Sequence, residues 1–98
     1  MTDLEISKAL ALAIGWAPDK MKELPSKLLL IYPFGKEYYS QFFDYRDWAV
    51  IGPIAERYKC FPFKDPWYKW IAGVGGYPKV FADTPQKAIA LAVIGAKK

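Results

Sequence analysis

The sequence has no histidine, and Cys60 is its only cysteine. Without an imidazole, Ser-His and Cys-His catalysis and histidine-ligated metal centres are excluded, so any acid–base chemistry would fall to carboxylates alone. One cysteine rules out an intramolecular disulfide and a cysteine-based zinc site. No apolar run approaches the roughly 20 residues needed to span a bilayer, and Thr2, Asp3 and Glu5 stand where a signal peptide would carry basic residues. These absences predict a cytoplasmic protein with no membrane contact and no cofactor. Linkers, low-complexity tracts and internal repeats are missing as well.

What is present suits a single folded domain of 98 residues, with 53% hydrophobic and 17% aromatic composition. That much apolar surface can offset the entropy lost on folding. The net charge of +4 hides an asymmetry. Met1 to Tyr58 holds seven Lys/Arg against eight Asp/Glu, whereas the chain from Lys59 onward holds seven Lys against Asp65 and Asp83. The second part is therefore +5 and the first −1. Such a surplus favours an anionic partner on the C-terminal part, although a solvated lysine-rich surface would carry it equally well.

Helix signals come at both ends and in the middle. Thr2-Asp3-Leu4-Glu5 has the spacing of a capping box, and Ile6, Leu10, Ala13 and Ile14 then recur at helical spacing until Gly15 and Pro18. Asp44 and Asp47 precede a second stripe of Trp48, Ile51, Ile54, Ala55 and Tyr58, with acidic residues at the positive helix end. Pro53 predicts either a bend or a regular helix only from that residue onward. Thr84-Pro85 is an N-cap followed by proline at the first helical position. The segment Ala88–Ile94 behind it is apolar nearly all round, which predicts a core helix lying on a sheet, with Lys97 and Lys98 at its negative end.

Between the second and third helices the pattern turns to alternation and aromatics. Residues 58–63, 67–72 and 78–82 read as three strands of an antiparallel meander, separated by Lys64-Asp65-Pro66 and Gly73-Val74-Gly75-Gly76. Pro62 and Pro78 cannot donate to a ladder, which puts the strand from Trp67 to Ala72 in the middle. By the period of two, Tyr68, Trp70 and Ala72 share one face and Trp67, Lys69 and Ile71 the other. The segment from about residue 21 to 43 reads as irregular, with a short strand within Lys27–Tyr32 and with Tyr38, Tyr39, Phe42 and Phe43 packed beneath it. The fold class predicted is α+β, a small helix/sheet/helix sandwich.

Two stretches are more specific than their composition. Asp47-Trp48 with Gly52-Pro53-Ile54 and Glu56, followed beyond Trp70-Ile71-Ala72 by Ala82-Asp83-Thr84-Pro85 and an Ala-rich helix, resembles the small phage and prophage proteins grouped as the phage ABA sandwich domain. The likeness to NinX-like proteins is looser. It covers the first helix and about residues 44 to 97, and each motif in it is partly structural. The resemblance implies a viral or prophage origin and helix, sheet, helix layering; it implies no activity and no catalytic residues. Residues 21 to 43 are longer and more aromatic than it would lead one to expect.

Few residues invite a chemical reading. Asp44 and Asp47 are the best carboxylate pair, but helix capping accounts for both. Gly73-Val74-Gly75-Gly76 lacks the Lys-Ser/Thr ending and following helix of a phosphate loop and reads as a hairpin connection. Cys60, with no base to activate it, reads as a small core residue. Trp67, Tyr68, Lys69 and Trp70 interleave aromatics with a cation, the composition that stacks and neutralises single-stranded nucleic acid. Packing against helices would use Tyr68 and Trp70 in the same way. The contact residues expected are Trp67 and Lys69, with Lys59, Lys64 and Lys79 nearby, and Tyr38 and Tyr39 in the aromatic segment. The sequence thus points to a non-catalytic accessory protein that binds a host protein or a small anionic ligand, or alternatively a nucleic acid or nucleotide. An apolar sheet face left over from packing would also suit a homodimer.

Overall fold

Thr2 opens the first helix as its spacing predicts. Its Oγ accepts from the Glu5 N–H at 3.1 Å while a Glu5 Oε accepts from the Thr2 N–H at 3.0 Å, and helix α1 runs over Asp3–Ala13. The coordinates, a computed structural model, describe residues 1–32, 40–67 and 69–97. Gly15, at φ +109°, ends α1 with the Gly15 N–H on the Leu12 carbonyl and the Trp16 N–H on the Ala11 carbonyl, the paired bonds of a Schellman motif. Ile6, Leu10 and Ala11 are buried along one face of α1.

The segment expected to be irregular contains a sheet. Strand β1 (Met21–Glu23) pairs antiparallel with β2 (Leu29–Ile31), which pairs with β3 (Gln41–Phe42). Only β2 matches a sequence expectation. The hairpin joining β1 and β2 turns at Pro25, with the Lys27 N–H on the Leu24 carbonyl and Lys27 in the left-handed region at φ +65°. Phe43 is buried as expected, but Phe42 faces solvent. Tyr38 and Tyr39 lie outside the described residues.

Asp47 caps helix α2 (Trp48–Tyr58) by accepting from the Ala49 N–H at 3.0 Å. The helix begins before Pro53 and continues through it, burying Ile51, Ile54 and Ala55. Strands β4 (Phe63–Lys64), β5 (Trp70–Ala72) and β6 (Val80–Ala82) form the expected meander with β5 in the middle. All three are shorter than the alternation suggests. Tyr58 belongs to α2, residues 60–62 precede the first strand without pairing, and Trp67 sits in a turn. Thr84 then caps helix α3 (Pro85–Ala96), accepting from the Lys87 N–H at 3.2 Å.

Helix α3 is the centre of the core. It packs on β5 and β6 on one side and on α1 and α2 on the other, burying Ala88, Ile89, Ala90, Ala92, Val93 and Ile94. The fold is the α+β arrangement of helices on an antiparallel meander that the sequence predicts, with α1 also touching β2 of the first sheet. A polar clasp ties α1 to the start of α2: the Tyr45 N–H donates to the buried Ser7 Oγ at 3.1 Å, and the Tyr45 hydroxyl donates to Asp3 at 2.5 Å. Arg46 completes it, gripping Asp44 with bonds of 2.8 and 2.9 Å and reaching Asp3 at 3.2 Å. Hydrogen bonding from Arg46 holds the Asp44 carboxyl below the usual carboxylate range.

Candidate functional site

The two fully buried inward-facing positions of the second sheet are small. Ala72 and Ala82 are buried against α3, with Trp70 and Val80 half-buried beside them, so the helix can approach closely. The other face carries bulk that the core does not cover. Phe63 pairs with Ile71 and Ile71 with Phe81 across the three strands, which lines the three side chains up on the outer face. Phe63 is 49% exposed and Phe81 58%.

One end of that face opens into a groove of about 360 Å³. Phe61, Phe63 and Tyr77 wall it, and the β5–β6 connection forms its rim. There the Tyr77 N–H closes on the Val74 carbonyl at 3.0 Å, with Gly76 at φ +85°, the left-handed third position that a type II turn demands. A Cβ at Gly73 would stand 3.2 Å from Lys79 Cγ, close enough that the lysine stem would have to shift by a few tenths of an ångström. The aliphatic stem of Lys79 crosses that space and its ammonium sits 5.4 Å from the centre of the Phe63 ring.

Lys59 lies on the groove's opposite wall. It terminates α2 at φ +53°, with its N–H on the Glu56 carbonyl and the Cys60 N–H on the Ala55 carbonyl. These are the bonds that Gly15 makes possible at the end of α1. A lysine in that left-handed position costs about 1 kcal/mol relative to glycine. Lys59 and Lys79 have no carboxylate partner among the described residues, and the groove is lined by no acidic residue.

The residues expected from sequence are divided by this geometry. Lys59 and Lys79 come together in the groove. Lys69 shares the outer face but is held 3.5 Å from Asp83, while Lys64 falls on the inner side of its strand with its ammonium 5.8 Å from the centre of the Trp70 ring. Trp67, 71% exposed, lies in the turn before β5. Tyr38, Tyr39 and Tyr68 lie outside the described residues. Phe61, Phe63, Tyr77 and Phe81 were not anticipated as contact residues.

The remaining chemistry is structural. Asp44 and Asp47 are committed to Arg46 and to the α2 cap. Cys60 is buried, and burial raises its thiol pKa against a weaker opposing hydrogen bond from the Gly73 N–H. Among the described residues no cluster of three or more His, Cys, Asp or Glu could hold a metal ion, and no helix is long and apolar enough to cross a membrane. No family model, curated protein or solved structure matches the chain.

Proposed function

We propose that the chain is a non-catalytic binding module, of the accessory kind encoded by phages and prophages, and that it engages a host-cell component through the outer face of the second sheet. The observation that carries this reading is the cross-strand row Phe63–Ile71–Phe81, whose phenylalanines stay exposed on the face opposite the buried Ala72 and Ala82. A face that keeps large apolar groups in water without using them for the core is a contact surface in waiting. The phage resemblance in residues 44 to 97 supplies the host context. Capture from host lysate tests it: wild-type protein retains a component that the Phe63→Thr, Phe81→Thr variant loses, whereas Phe42→Thr, an exposed aromatic on the other sheet, still retains it. Equal capture by all three would reject the assignment.

The second reading, a nucleic acid or nucleotide ligand, is favoured by one specific observation. Lys59 and Lys79 both line an aromatic-walled groove and have no carboxylate partner among the described residues. Binding of that kind weakens as salt rises, because phosphate contacts release counterions.

A further inference from the structure

The aromatic and basic groups of the second sheet continue past the groove, and their arrangement narrows the ligand class. We infer that the outer face is a platform for single-stranded nucleic acid, the groove taking one base against Phe61, Phe63 and Tyr77 and its phosphate between Lys59, Lys79 and the Gly75-Gly76 turn. This rests on reading that face as the contact surface and names its partner.

Three observations support it. The groove offers what a nucleotide unit needs: flat aromatic walls for a base, two cations for a phosphate and no carboxylate to repel it. The turn closed by the Tyr77 N–H leaves the central Gly75 and Gly76 N–H groups without a backbone partner among the described residues, and these groups sit on the groove lining where an anion could meet them. Beyond the groove, Ile71 and Phe81 extend the apolar surface across the sheet and Trp67 stands exposed before β5. A chain of nucleotides can use that extension; a free nucleotide has no need of it. Charge argues against a second copy as occupant, since each copy brings the same +5 surplus in its C-terminal part.

Fluorescence anisotropy with a labelled single-stranded oligothymidylate decamer is the test. Expected is binding whose logarithm falls with log salt at a slope of about −0.7, the value for the one phosphate neutralised in the groove. Lys79→Glu weakens it about tenfold or more, and Phe81→Thr, outside the groove, weakens it by about tenfold as a lost stacking position should. Lys59→Gly also weakens it while preserving the fold, because glycine suits the left-handed backbone there. Salt-independent binding, unchanged affinity in Lys79→Glu, or a mononucleotide binding as tightly as the decamer would overturn the inference. If the decamer fails to bind at low salt while Phe81→Thr abolishes capture of a host protein, the nucleic-acid assignment falls and the contact face stands. If Phe81→Thr alters neither, both fall.

Discussion

In the first sheet the large aliphatic residues point inward: Leu29 and Ile31 of β2 are buried, with α1 packed beside them. In the second sheet the buried positions of β5 and β6 are Ala72 and Ala82, and the phenylalanines face water. Both sheets are three-stranded and antiparallel, with strands of two or three residues, so the difference lies in what each face is for. Leu29 and Ile31 supply apolar area to the core. Ala72 and Ala82 supply little area and instead let α3 lie close, while α3 brings its own Ile89 and Val93. The second sheet therefore holds a surplus of apolar bulk that folding does not consume.

The comparison can be broken most forcefully at Leu29. Replacing it with alanine should cost about 2–5 kcal/mol, the range for emptying a buried aliphatic site, read as a lower midpoint in urea unfolding at an unchanged slope. Next in size, Ala72→Leu should cost about 1–3 kcal/mol by forcing α3 away from β5, because the inner face of the second sheet has no room. A variant as stable as wild type would mean that the alanines are not set by close helix approach.

A smaller effect, at the α1 cap and the clasp between α1 and the start of α2, is read by pH. Arg46 depresses the folded-state pKa of Asp44, and the Thr2 backbone and hydroxyl do the same for Glu5. Groups whose pKa is lowered on folding stabilise the protein above their unfolded values, about 4, and lose that contribution as pH falls through the folded ones. Stability should therefore decline below about pH 5. Asp44→Asn should flatten that decline and lower stability modestly at neutral pH, both read from thermal midpoints across a pH series.

Legibility in the sequence followed local chemistry. Thr2 to Glu5 with Gly15, Asp47, and Thr84-Pro85 each carry a cap whose partners lie within one turn, so all three helices were readable. The end of α2 was not, because Lys59 sits where a glycine would have announced the stop, and Tyr58 fits both the helical stripe and the alternation that follows it. The first sheet was hidden for a different reason: Met21-Lys22-Glu23 has one apolar residue and no alternation, and it becomes a strand through its pairing with Leu29–Ile31. At the candidate site, charge exposed Lys59 and Lys79, but nothing local distinguished outward phenylalanines from core ones. Alternation alone leaves the two faces equivalent until it is known which one a helix covers. A usable signal was present in Ala72 and Ala82, small residues alternating with Ile71 and Phe81, which mark the closely covered side.

Phe81→Thr tests the central claim most directly when unfolding free energy and binding are measured on the same sample. Stability should stay within about 1 kcal/mol of wild type, the scale of a cross-strand pair in a residue type that favours strands, while partner binding is lost. A loss of stability as large as that of Leu29→Ala, with binding by the remaining folded protein intact, would mean that the phenylalanine row serves the fold and that the contact surface lies elsewhere.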